Sequence, residues 1–195
     1  MQIQPGTLAP AFQVEDVFGN PISLDDYAEK RLLLSFFRNA ACAICNLRVH
    51  ELIERYPAYH RSGLEILAVF ESPRENILLY VGRQDAPFPI VADPQAQLYA
   101  LYGVEASEAK VAKTMSMPET QATIGAAAAQ GFVLTPEADS NFNRMPADFL
   151  IGPDLIVQRA HYAEYVMDHL PFETIEHFLH SQELPLKEVI YETQR

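Results

Sequence analysis

Leu32-Leu33-Leu34-Ser35-Phe36-Phe37-Arg38-Asn39-Ala40-Ala41-Cys42-Ala43-Ile44-Cys45 is the stretch on which the rest of the chain turns. Residues 31–37 read as a central strand, because a nearly unbroken apolar run implies burial on both faces. A helix follows from about Cys42 to Tyr56. Cys45, Val49, Leu52, Ile53 and Tyr56 recur at helical spacing and form one apolar stripe. Arg48, Glu51, Glu54 and Arg55 lie largely off it, and Pro57 predicts its end. Cys42 falls in the first turn, where unpaired N–H groups and a partial positive charge stabilise an anion. The anion is the reactive form of cysteine. Cys45 lies one turn later on the packed stripe. The spacing therefore predicts Cys42 as an exposed nucleophile and Cys45 as its less accessible partner.

Working outward, Leu64–Phe70 predicts a second strand. Ser72 and Glu75 predict a capped helix running to Gly82 or a little beyond. Phe88-Pro89-Ile90-Val91 is a short strand, and Asp93-Pro94 opens a helix through Tyr102. This β-α-β-α rhythm implies parallel strands with helices on the sheet faces. Upstream, Ala11-Phe12-Gln13-Val14 alternates, Gly19-Asn20-Pro21 is a turn, and Asp25 begins a short helix. Residues 104–143 break the rhythm and read as an insertion with one or two helices. A packing appendage is the plain reading, and a lid or dimer contact the sharper one. Regular structure resumes at Ala147–Ile151, turns at Gly152-Pro153-Asp154, and returns over Leu155–Ala160 as a hairpin. A last helix covers about Leu170 to His180, with Phe172, Ile175, Phe178 and Leu179 inward. The expected arrangement is one domain over 1–195 with the 104–143 segment inserted.

The formal charge of −12 over 195 residues argues against nucleic acid or an anionic membrane as partner. No stretch approaches the roughly 20 apolar residues of a membrane span. No basic start followed by an apolar block is visible, so cytoplasm is the expected location. Two cysteines are too few for a secreted disulfide framework. One C-x-x-C without a second pair of ligands does not make a zinc site, and no metal is expected. His50 follows Val49 on the same helix and is expected to point to solvent or a packed edge, and His161, His169, His177 and His180 show no ligand geometry.

The strand, the C-x-x-C at a helix start, the crossover, and then Met145-Pro146-Ala147-Asp148-Phe149-Leu150-Ile151 with its hairpin together resemble the thioredoxin fold. Pro5-Gly6-Thr7-Leu8-Ala9-Pro10-Ala11-Phe12, with Asp16, Gly19 and Leu24, resembles the opening of the peroxiredoxin (AhpC/TSA) family. Phe36–Leu47 is similar to the F-x-R-G-x-W-C-P-x-C-x-L of peroxiredoxin-like proteins. The resemblance covers about 5–102 and 144–180. It implies an α/β thioredoxin-like fold, with a central mixed sheet, helices on both faces and a helical insertion. It also implies that Cys42 attacks a hydroperoxide, that Cys45 resolves the sulfenic acid as a disulfide, and that no organic cofactor is required. An external dithiol such as a thioredoxin-like protein would reset the pair.

The chain departs from that pattern at named positions. Ser35 stands where peroxiredoxins carry Pro, and Asn39 where they carry Thr or Ser. Asn39 can donate to a peroxide oxygen or merely cap the helix. Pro146 stands where they place an arginine, as in thioredoxins, where this proline is cis. That context predicts a cis Pro146 shaping the face beside Cys42. Arg38 and Arg144 are the two guanidinium groups able to support the thiolate. Asp148 reads as a partly exposed strand residue. Three functional readings follow: a thiol peroxidase, a thioredoxin-like disulfide oxidoreductase using the same cysteines, and a non-catalytic binding module with inert core thiols.

Overall fold

The computed structural model describes residues 1–138 and 140–180. Five strands form a mixed sheet in the order β5-β4-β3-β6-β7. They are β3 (Arg31–Phe36), β4 (Leu64–Phe70), β5 (Ile90–Ala92), β6 (Ala147–Ile151) and β7 (Val157–Tyr162). β3 pairs in parallel with β4, and β4 with β5; β6 runs antiparallel to both β3 and β7. A small antiparallel ribbon, β1 (Gln13–Glu15) with β2 (Pro21–Ser23), stands beside it. The central place of β3 explains its apolar run, because Leu32, Leu34 and Phe36 face one core while Leu33 and Phe37 face the other. The sheet is mixed and the class α/β, as the resemblance implied.

Helix α1 (Ala43–Arg61) crosses from β3 to β4 on the second of those faces. It runs through Pro57 instead of ending there. The missing amide and ring clash of an interior proline cost about 3 kcal/mol. Tyr56 and Tyr59 on either side are buried, so packing of the last turns offsets that cost. The helix stops at Ser62, and Gly63 takes φ 80°, the left-handed conformation that glycine adopts without a Cβ clash.

Helices α2 (Arg74–Leu79) and α3 (Gln97–Leu101) are shorter than their sequence patterns suggest. Asp93 explains part of this, since its carboxylate accepts the Gln97 and Leu98 N–H groups and sets the start of α3. The insertion folds as α4 (Glu108–Met115) and α5 (Pro118–Ala129), two helices as expected, with α5 lying against α1. Helix α6 (Phe172–His180) buries Ile175 and packs Phe172, Phe178 and Leu179 against the α1 side of the sheet. The tail after Pro185 lies outside the described residues. Among those described, no helix is long and apolar enough to cross a membrane.

Candidate active site

Cys42 is the N-cap of α1, with extended backbone (φ −66°, ψ 114°). Its Sγ accepts the Cys45 backbone N–H at 3.4 Å, the bond an N-cap oxygen would ordinarily make. Both cysteines are reduced. The hydrogen bond from the Cys45 thiol, above all, lowers the Cys42 pKa to about 6 against the opposing effect of burial. The Arg38 guanidinium and the N–H groups of Cys45 and Ile44 add to it. Cys45 moves the other way. Burial, and then its bond to Cys42, push its pKa well above the usual thiol value. The two sulfurs thus divide into a thiolate and a thiol that supports it.

The loop before the helix is fixed atom by atom. The Arg38 carbonyl accepts the Glu71 N–H, continuing the β3–β4 pairing past the strand ends. The Arg38 side chain is buried, with Nη1 at 3.8 Å from Cys42 Sγ and Nε donating to the Arg144 carbonyl at 3.0 Å. Its Nη2 donates to the Phe142 carbonyl, and its guanidinium lies 4.9 Å from the Phe142 ring. Ser72 Oγ accepts the Ala40 N–H at 2.9 Å. Ser72 therefore serves this loop and not α2, whose N-cap is Pro73 with no side-chain bond. Asn46 Nδ2 donates to the Ala40 and Cys42 carbonyls at 2.7 and 3.0 Å. Glu137, from the end of the insertion, accepts the Ala41 N–H at 3.2 Å and the Asn76 amide at 2.9 Å. Asn39 caps nothing with its side chain. Its carbonyl takes the Cys42 N–H at 3.2 Å, and its side-chain amide has no hydrogen-bond partner among the described residues.

A cavity of about 300 Å³ opens onto Cys42, walled by Arg38, Asn39, Leu134, Pro136, Glu137 and Phe142, among others. This corrects the expectation of an exposed nucleophile. Cys42 is 3% and Cys45 1% exposed, because residues 134–137, Ser140 and Phe142 lie over the helix start. The sulfur is covered, but it faces polar groups and open volume instead of a sealed hydrocarbon core.

The sequence profile of the AhpC/TSA family matches residues 5–160. The chain belongs to the AhpC/TSA family. It is 37% identical over 100 residues to the thiol-disulfide oxidoreductase ResA of Geobacillus thermodenitrificans, covering 51% of this chain and 57% of that protein. It is 25% identical over 114 residues to a provisionally named peroxiredoxin of Mycobacterium tuberculosis, covering 58% of this chain and 73% of that one. The chain thus spans little more than half of the ResA protein's length. The crystal structure of peroxidoxin BcpB from Mycobacterium tuberculosis superimposes with a TM-score of 0.61 at 15% identity, over 86% of this chain and 90% of that one. That likeness shows the fold. The expected membership of the AhpC/TSA family holds.

Two residues in this AhpC/TSA chain stand elsewhere than the sequence reading put them. The Arg144 guanidinium does not reach the thiolate; it pairs with Glu71 at 2.5 Å, donates to the Val104 carbonyl at 2.8 Å and stacks on Tyr99. Only its backbone carbonyl touches the site, by holding Arg38 Nε. Pro146 is not cis, since the described residues contain no cis peptide. Residues 144–146 approach β6 in extended form, with Met145 N–H on the Glu105 carbonyl and Arg144 bridged to Ala106, so no tight turn demands the cis bond. Pro146 is buried and is not part of the cavity wall; Met145 beside it joins the apolar cluster that holds both cysteines.

The family scaffold also buries a polar cluster that sequence spacing did not reveal. Asp148 is buried, not partly exposed. It accepts the Ser35 hydroxyl, His169 Nδ1 at 3.0 Å and the Leu170 N–H at 2.7 Å. Burial would raise its pKa, but His169, Arg48 and Ser35 hold it well below the usual carboxylate range. Arg48 donates to the Leu170 carbonyl and lies 3.8 Å from the Phe172 ring, clamping the approach to α6 onto α1. No described group of three or more His, Cys, Asp or Glu residues could hold a metal ion.

Proposed function

We propose that this protein is a peroxiredoxin-like thiol peroxidase in which Cys42 is the attacking sulfur and Cys45 the resolving one. The observation that carries this reading is a stabilised thiolate at the floor of a cavity of about 300 Å³. Such a space admits a small hydroperoxide. A protein disulfide, by contrast, has to bring its own sulfur in line with a thiolate that is only 3% exposed.

The steps balance without a cofactor. The Cys42 thiolate attacks the terminal oxygen of R–O–O–H, so that an S–O bond forms and the O–O bond breaks. The alkoxide leaves and takes a proton, giving an alcohol and a Cys42 sulfenic acid. Arg38 and the unpartnered Asn39 amide are placed to stabilise the oxygen that gains charge. Cys45 sulfur then attacks Cys42 sulfur. The S–S bond forms, the S–OH bond breaks, and hydroxide leaves with the Cys45 proton as water. An external dithiol, such as a thioredoxin-like protein, returns both sulfurs to the reduced state.

Stopped-flow mixing with hydrogen peroxide or tert-butyl hydroperoxide tests the reading. One oxidant consumed per reduced pair, with disulfide as product, supports it; no consumption by folded, reduced protein overturns it. The likeness to ResA, together with the C-x-x-C spacing, favours a second reading as a disulfide oxidoreductase. Catalysed reduction of insulin without peroxide consumption would select it.

A further inference from the structure

We infer that Glu137 is a specificity determinant that makes the Cys42 site select uncharged hydroperoxides over anionic ones. The inference rests on the peroxidase reading and adds a substrate class to it. Among the described residues, two charged side chains wall the cavity, Arg38 and Glu137. Arg38 is held at two nitrogens, Nε on the Arg144 carbonyl and Nη2 on the Phe142 carbonyl, and keeps Nη1 facing the Cys42 sulfur. Its positive charge is balanced by the thiolate it faces.

Glu137 has no such balance. Its oxygens are held by neutral donors, the Ala41 N–H at 3.2 Å and the Asn76 amide at 2.9 Å, and no described cation forms an ion pair with it. With Cys42 ionised, the described groups around the cavity therefore sum to one net negative charge in a partly desolvated space, where charge–charge interactions are stronger than in water. A neutral hydroperoxide enters without electrostatic cost. One bearing a carboxylate meets repulsion at the step that brings its oxygen to the sulfur. The apolar part of the wall, Leu134, Pro136 and Phe142, suits a short apolar substituent, and Asn39, Thr135 and Ser140 add neutral polar groups. The glutamate belongs to the inserted segment, so the selectivity is a property of this chain's elaboration on the fold.

The test uses two matched pairs of reagents. Cys42 alkylation by iodoacetamide and by iodoacetate reports charge selection at the thiolate whether or not the protein is a peroxidase. Cys42 oxidation by 3-hydroperoxy-3-methylbutanoate and by its methyl ester reports it during the proposed reaction. The wild type is expected to disfavour each anion relative to a free cysteine control. The anion-to-neutral rate ratio should rise about tenfold in Glu137→Gln, which keeps the shape and an acceptor for Ala41. Glu137→Asp retains the charge and should retain the discrimination. Raising the salt concentration should narrow it in the wild type and in Glu137→Asp but not in Glu137→Gln, a readout that requires no variant for its first part. A wild-type ratio equal to that of free cysteine, or a ratio unmoved by Glu137→Gln, overturns the inference. Charge-selective alkylation without oxidation by either hydroperoxide would retain the electrostatic account of Glu137 but overturn the peroxidase reading, and with it the substrate assignment.

Discussion

The strand–loop–helix unit from β3 to α1 and the end of the insertion, residues 134–137 with Ser140 and Phe142, meet at one sulfur, yet they act on it in opposite ways. The first is ordered by main-chain ladders and an N-cap, and it makes Cys42 reactive through Cys45, Arg38 and the helix N–H groups. The second lies over the helix start and supplies a carboxylate, two large apolar side chains and a proline. It restricts what arrives. The contrast teaches that reactivity and access are separable in this chain, since the groups that produce each sit on different segments.

The comparison breaks most completely at the scaffold. Cys42→Ser should abolish peroxide consumption, while Cys45→Ser should complete one oxidation and stop at a sulfenic acid, which a dimedone adduct in mass spectrometry would reveal. If both variants keep turning over, the division of labour between the sulfurs is wrong. Arg38→Met should slow oxidation about a hundredfold, the usual scale for loss of one preorganised donor, and should shift the reactive midpoint to higher pH. Stopped-flow rates across pH would check both effects together. Asp148→Ala should leave Ser35, His169 and the Leu170 N–H without their acceptor and cost about 3 kcal/mol of stability in urea denaturation. The Cys42 midpoint should not move, because the hydrogen bonds of Asp148 go to Ser35, His169 and the Leu170 N–H and not to either cysteine. The stability that the wild-type carboxylate provides is present above the ordinary carboxylate pKa and is lost as pH falls below it toward the lowered value in the folded protein. The smallest effect should come from the insertion. Phe142→Ala widens the mouth and should raise insulin reduction several-fold while the pH midpoint holds; an unchanged insulin rate would mean that the segment does not limit access.

How much of this was legible in the sequence follows the same division. The β3 run, the C-x-x-C at a helix start and the late hairpin declared themselves because burial on both faces and helical spacing leave local patterns. The polarity of the cysteine pair was also legible, since position within the first turn decides which sulfur meets the helix end. Pro57 misled because its local cost is outweighed by tertiary packing of Tyr56 and Tyr59. Ser72 misled for a related reason: a hydroxyl three residues from a suitable local partner can find a better one across the fold, here the Ala40 N–H. Arg144 misled because nothing local tells which of two distant anions it meets, and it pairs with Glu71, not with the thiolate. Glu137 and the Asp148–His169 pair left no signal, because their partners lie 96 and 21 residues away and no spacing rule connects them.

The central claim is that α1's first turn, the Cys45 thiol and Arg38 keep Cys42 ionised inside a small covered cavity. The most direct test is the rate of Cys42 alkylation by iodoacetamide as a function of pH. The account predicts a rise with a midpoint near pH 6 and a plateau above it, with the midpoint moving up in Arg38→Met and further up in Cys45→Ala. A midpoint near the ordinary thiol value of about 8.5, unmoved by either substitution, would contradict it.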